Sequence, residues 1–269
     1  MPEGVALALA LAGLAVALAA AYAWTRARQR HAALTRALKA CDHKLEQLQI
    51  AFARFAPASI VEEVIRAGGV RPLAERREVT VLFVDIVGFT TLSESMAPER
   101  LVALLNGYFS AVCRAITRHH GHVSKFIGDG VMAVFGAPER NPWQAIDATR
   151  AALAVKEELA RYNEALARDG HGPLNIGVGV HRGPAVAGIV GNDSLADYTV
   201  IGDTVNTAAR VEGLAHEPPY PILISDGVAR ELDARFTLRA LPDVTLRGKH
   251  EPLRLHAVEG YRDDDPAAS

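Results

Sequence analysis

Cysteine is nearly missing from this chain, with two in 269 residues, Cys41 and Cys113. Cys41 falls in a polar helical stretch and Cys113 in an apolar one. That pattern excludes a disulfide framework or a cysteine zinc site and fits a reducing compartment. Charge of one sign is also lacking. Lys and Arg total 29 against 31 Asp and Glu, for a net charge of -2. No long basic run crosses the globular part, which excludes nucleic acid as a partner. Aromatics make up only 6%, yet apolar residues reach 49% and charged ones 22%. A packed core is therefore expected and wholesale disorder is excluded. There is no internal repeat, and the single low-complexity stretch is an Ala/Leu-rich N-terminus.

That N-terminus reads VALALALAGLAVALAAAYAW from Val5 to Trp24 and carries no charge. About twenty apolar residues in a helix span ~30 Å, the hydrocarbon thickness of a bilayer. Tyr22 and Trp24 stand where an aromatic belt belongs, and Arg26, Arg28 and Arg30 follow. The positive-inside rule puts the C-terminal side in the cytoplasm. The expectation is a single-pass anchor over 1–24, held in the cell membrane. A cleaved signal peptide fits less well, because no positive segment precedes the apolar run. An Ala-rich soluble helix is the other reading.

Leu34, Leu38, Cys41, Leu45, Leu48, Phe52 and Phe55 recur with 4-3-4-3-4-3 spacing. This is a heptad seam of about three repeats and predicts a coiled-coil-like helix over 25–56. The helix could pair with a second copy or pack on its own subunit. Pro57 ends it. A short helix over 59–66 and a charged segment make 57–78 a linker.

From Val79 onward the periodicity changes repeatedly. VTVLFVD (79–85) predicts a buried strand, 93–119 a helix, 122–127 and 131–135 a hairpin of strands, 142–166 a helix and 174–180 a strand. The order β-α-β-β-α-β is ferredoxin-like and the class α+β, with the helices on one sheet face. A hairpin over 184–200, a helix from about Thr204 and a strand over 222–225 follow. The domain runs over 79–260, and 261–269 is an expected disordered tail.

Asp85 closes an otherwise apolar strand. Asp129 sits in the Gly128-Asp129-Gly130 turn, where Asp-Gly is expected to take the positive φ angles. In this topology the two carboxylates converge at one sheet edge. Paired carboxylates near Gly-rich turns suit two Mg²⁺ or Mn²⁺ ions, although Asp in such a turn is often only turn chemistry. The segment after Asp85, Ile86 to Thr91, turns from strand to helix and exposes backbone amides to an anion such as a triphosphate. His119, His120 and His122 lack a third metal partner and fit a loop beside Gly121. Trp143, after Pro142, reads as a packing residue.

FVDIVGFTTLSE, KFIGDGVMAVFG and GDTVNTAARVEGLA resemble, in order, the three signature blocks of class III adenylyl and guanylyl cyclases. The likeness covers roughly 79–258. The resemblance implies Asp85 and Asp129 as carboxylates for two Mg²⁺ or Mn²⁺ ions per site, with the carbonyl of Ile86 as a further ligand. Phe89 and Thr90 correspond to the amides that hold the β- and γ-phosphates. Lys125 corresponds to the residue that reads the base and Thr199 to its partner. Lys in that position matches the adenine pattern, and Lys donates to adenine N1 where guanine carries a proton. Asn206 and Arg210 match the residues that orient the ribose and bind the α-phosphate. They lie four apart on a predicted helix, hence on one face. Lys249, with Arg247 as the alternative, corresponds to a phosphate-binding lysine.

The implied activity is conversion of ATP to cyclic AMP and pyrophosphate. In the family the metal carboxylates come from one subunit, and the base, ribose and arginine contacts from the other. A homodimer of this chain would then hold two composite sites. A weak or dead cyclase-like membrane signalling module is the alternative. A guanylyl cyclase is disfavoured by Lys125, and a diguanylate cyclase by the absence of its signature turn.

Overall fold

A computed structural model describes residues 74–191, 196–216, 219–246 and 252–262, with scattered helical positions between Tyr22 and Arg66. The chain divides into two compact units, Met1–Ala56 and Pro57–Ser269. In the first, Arg26 lies over the Tyr22 ring and Arg28 over the Trp24 ring, at 5.7 and 5.3 Å from the centroids. Leu38 and Cys41, two positions of the heptad seam, are exposed. No helix among the described residues is long and apolar enough to cross a membrane. The expected anchor over 1–24 falls almost wholly outside the described residues, as do Leu34 and the seam from Leu45 onward.

In the second unit, β1 (Ala74–Ile86) leads into α1 (Phe89–Ser95) and α2 (Pro98–Arg118). Then come β2 (His122–Ile127), β3 (Gly130–Phe135), α3 (Gln144–Arg168), β4 (Ile176–Gly191) and β5 (Ala196–Ile201). The unit closes with α4 (Asp203–Leu214), β6 (Ile222–Ser225), α5 (Asp226–Ala229), β7 (Phe236–Ala240) and β8 (Leu255–Tyr261). The sheet order is β2-β3-β1-β4-β6-β8-β7, with β5 paired to β4 alone. Its first four strands have the expected ferredoxin-like order, and β1 runs antiparallel to both neighbours.

Several boundaries differ from the sequence reading. Strand β1 begins at Ala74, inside the stretch assigned to the linker, because Ala74 to Glu78 pair with Gly188 to Pro184 of β4. The helix expected over 93–119 is two helices. Met96 leaves helical geometry and Pro98 occupies the first turn of α2, where its missing N–H is harmless. Strands β7 and β8 had no counterpart in the sequence reading.

The larger correction concerns the faces of the sheet. Residues alternate across a strand. Leu82, Val84 and Ile86 pack with Tyr108, Val112 and Ile116 of α2 and Val155 and Leu159 of α3. Val79 and Val81 point the other way, into a cluster with Met132, Val134, Tyr198, Val200 and Ala208 of α4. Helix α4 therefore covers the opposite face, and the helices are not confined to one side.

What admits α4 there is a row of missing Cβ atoms along β4. A Cβ on Gly177 would overlap the His216 ring, one on Gly179 the backbone of Glu212, and one on Gly183 would lie 2.8 Å from Thr204 Oγ1. The start of the helix is pinned by Thr204 Oγ1, which donates to the Pro184 carbonyl at 2.7 Å. The buried stripe of α4 is Thr204, Thr207, Ala208, Val211 and Glu212.

Gly179→Ala should cost about 1–3 kcal/mol, because backbone must move to admit the methyl group. Gly213→Ala, on the same helix with open space around it, should stabilise by up to about 1 kcal/mol. Urea denaturation of the two variants checks the contrast. Equal midpoints would rule out the seating of α4 on β4.

Candidate active site

Asp85 stands near the end of β1, and Asp129 in the two-residue loop between the paired Ile127 and Gly130. The positive φ of that loop falls on Gly128, at 65°, and not on Asp129 or Gly130 as the Asp-Gly reading supposed. Because β3 is the ladder neighbour of β1, the loop is delivered beside Asp85. The two carboxylates meet at one backbone amide. Ile86 N–H donates to Asp85 Oδ1 at 2.9 Å and to Asp129 Oδ2 at 3.1 Å. The sequence reading assigned Ile86 through its carbonyl; its N–H clamps both acids as well.

Burial, followed by the neighbouring Asp129 carboxyl, pushes Asp85 up to about 8. Two acids crowded into a half-buried corner disfavour a second negative charge. Hard carboxylate oxygens in that state fit Mg²⁺ or Mn²⁺, which would relieve the repulsion.

A third acid joins them that the sequence reading missed. Glu212 of α4 is buried, and ligand atoms of Asp85, Glu212 and His216 lie within 4.8 Å of one another. His216 Nε2 is 2.5 Å from Glu212 Oε1, an electrostatic contact without hydrogen-bond alignment. Burial raises the Glu212 pKa; His216 opposes the shift and Asp129 adds to it. The available signal was an acid interrupting the apolar stripe of α4, with His four residues on. Tyr108 is fully buried within electrostatic reach of the same acids, and its hydroxyl has no hydrogen-bond partner among the described residues.

Gly88, with φ at 74°, turns the chain into α1, whose first helical hydrogen bond runs from Leu92 N–H to the Gly88 carbonyl. The amides of Phe89 and Thr90 precede that bond, and no side chain caps them.

Asn206 and Arg210 are exposed on α4. At 100° per residue, Arg210 projects roughly 200° around the helix from Glu212, which packs beside Asp85. The Asn206–Arg210 face is thereby turned away from the carboxylates of its own subunit. Lys125 and Thr199 are not in direct partnership. Lys125 Nζ pairs with Asp197 Oδ2 at 3.1 Å, and Thr199 is buried at 8% exposure. Asp197 is the second residue the sequence reading missed. Lys249 and Arg247 lie outside the described residues.

A cavity of about 860 Å³ opens at the other end of the β2–β3 hairpin, lined by His120, His122, Trp143, Arg150 and Arg235 among others. Trp143 is 66% exposed and is not the packing residue expected. Burial lowers the pKa of His119 and His122.

Residues 72–260 match the model of the adenylate and guanylate cyclase catalytic domain. The chain belongs to that family. It is 34% identical to Adenylate cyclase 1 of Rhizobium meliloti over 232 residues, 86% of this chain and 35% of that protein. The chain thus spans about a third of that relative's length. Among solved structures, it resembles the adenylyl cyclase CyaB from P. aeruginosa at 31% identity and TM-score 0.67, covering 71% of this chain and 98% of that one. It resembles the guanylyl cyclase Cya2 at 30% identity and TM-score 0.66, covering 71% and 95%. Divalent metal use follows from the family. The choice of purine does not, since relatives of both kinds lie at similar distance.

The raised Asp85 pKa sets the pH dependence of metal-free stability. An unfolded Asp85 loses its proton near 3.8 and the folded one near 8. Between those values the folded state holds the extra proton, so the contribution of this group falls as pH rises through the window. Mn²⁺ must displace that proton. The rise in melting temperature on adding Mn²⁺ should therefore be larger at pH 8.5 than at pH 6, and Asp129→Asn should remove most of it. A metal-induced shift independent of pH and of Asp129 would refute this account.

Proposed function

We propose that the chain is an adenylyl cyclase, converting ATP to 3′,5′-cyclic AMP and pyrophosphate at two composite sites of a homodimer. The observation that carries this reading is the opposed orientation of the two halves of the site within one subunit. Asp85 and Asp129 converge on the Ile86 amide, whereas Asn206 and Arg210 stand exposed on the far side of α4. Within one subunit the two sets face different ways, which supports a second copy supplying the complement, as the resemblance implies. Exposed Phe126, Ile127, Val186, Val190 and Ile201 offer apolar area for that contact.

Asp85 and Asp129 would hold two Mg²⁺ or Mn²⁺ ions, which supply Lewis acidity to the ribose 3′-hydroxyl and the leaving phosphates. The residues of the chain do the rest. The Phe89 and Thr90 amides receive the terminal phosphates at the start of α1. From the other subunit, Asn206 orients the ribose so that its 3′-oxygen stands in line with the α-phosphorus. Arg210 neutralises charge that builds on the α-phosphate as the bond to pyrophosphate breaks. Lys125 donates to N1 of adenine, which favours ATP over GTP. The apolar run over 5–24 would tether the enzyme to the membrane, with the catalytic unit in the cytoplasm.

With Mn²⁺ and ATP, wild type should form cyclic AMP. Asp85→Ala should be inactive, and Asn206→Ala should lower kcat by about 10²–10³. An equal mixture of the two variants should recover about a quarter of wild-type activity, because half the dimers are mixed and each then holds one intact site. No recovery in a mixed dimer would refute shared sites. A folded, metal-loaded wild type without any cyclic product would favour the signalling-module reading. The 269-residue chain should stay in the membrane pellet after carbonate washing and leave it when 1–24 are removed; release of both would refute the anchor.

A further inference from the structure

Around Asp85 the structure leaves three buried polar atoms without a hydrogen bond among the described residues: Glu212 Oε1, His216 Nε2 and the Tyr108 hydroxyl. Buried polar groups are almost always paired, so three orphans in one corner mark a place built for a further group. Glu212 is only 9% exposed, and its Oε1 lies 2.5 Å from His216 Nε2 but out of hydrogen-bond alignment. Ligand atoms of Asp85, Glu212 and His216 lie within 4.8 Å of one another. Tyr108 is fully buried and within electrostatic reach of both acids.

The three residues sit on fixed supports. Asp85 stands on β1 and Glu212 on the buried stripe of α4. His216 follows one turn later, against Gly177, where a Cβ would overlap its ring. Its side chain keeps 31% exposure and lines a cleft of about 420 Å³ with Val87, Lys156, Asn163 and Pro221. That cleft supplies an entry path, and room for a water at a position the protein leaves open.

This set differs in kind from the Asp85–Asp129 pair. The pair offers oxygen alone, which suits Mg²⁺ and Mn²⁺. Two carboxylates with an imidazole suit a borderline cation such as Zn²⁺ or Co²⁺, held by three protein ligands and one water. Ligand atoms on a tetrahedral Zn²⁺ stand roughly 3.3 Å apart, so small side-chain rotations gather the set. A water alone could donate to the two carboxylates, but only a cation also cancels their charge.

We infer that Asp85, Glu212 and His216 form a binding site for a borderline divalent cation, Zn²⁺ in kind, which is distinct from the paired-acid site although it shares Asp85 with it. A cation held there ties the end of β1 to the last turn of α4.

Co²⁺ is the probe, because its visible absorption intensifies when few ligands hold it in a low-symmetry site. The 269-residue chain should develop these bands on titration with Co²⁺; equimolar Zn²⁺ should bleach them and excess Mg²⁺ should not. Asp129→Asn should retain them, since Asp129 is outside the set. Glu212→Gln and His216→Gln should each weaken Zn²⁺ by more than about 100-fold, beyond the cost of losing an outer-shell partner. His216→Cys keeps a ligand and should bind Co²⁺ with a new thiolate-to-cobalt absorption, a positive signal that does not depend on how well the glutamine variants fold. Absence of bands in wild type, bleaching by Mg²⁺, bands that survive His216→Gln, bands lost with Asp129→Asn, or a His216→Cys protein without thiolate absorption would each overturn the site. No nucleotide enters the measurement, so its outcome is independent of the adenylyl cyclase reading.

Discussion

Helix α4 lies against β4 because Gly177, Gly179 and Gly183 leave no Cβ atoms in its way. That contact governs the rest of the site. With the helix axis held close to the strand, Glu212 and His216 are driven inward beside Asp85. The same rotation turns Asn206 and Arg210 outward. A bulkier β4 would lift α4, detach Glu212 from Asp85 and alter the direction in which Asn206 and Arg210 point. Close helix–strand packing thus sets the geometry of the acidic cluster as well as contributing stability.

The second dependency is electrostatic. Asp85, Asp129 and Glu212 are gathered where solvent is partly excluded, and one amide, Ile86 N–H, serves two of them. Without cations the arrangement is strained, since burial and mutual repulsion hold a proton on Asp85 well above its ordinary range. The strain is the reverse side of metal affinity: a cluster comfortable without a cation would gain little from binding one.

The Lys125–Asp197 pair follows a different logic. Lys125 and Asp197 come from strands far apart in the ladder, joined because β5 folds back over the sheet face through Tyr198 and Val200. Their pairing is exposed and contributes little to stability. Thr199, two residues on and on the same side of β5, is buried.

The sequence by itself determined the α+β class, the order of the first four strands, the convergence of Asp85 with Asp129 and the shared helix face of Asn206 and Arg210. Those features are written locally: in alternating apolar runs, in a turn after a strand, and in a four-residue spacing on one helix face. The tertiary structure alone decided that α4 covers the opposite face of the sheet, because the glycines that admit it read locally as weak strand positions. It alone brought Glu212 and His216 to Asp85, and Asp197 to Lys125, since these partners lie on separate elements. No local pattern records which remote side chain a fold will set beside another.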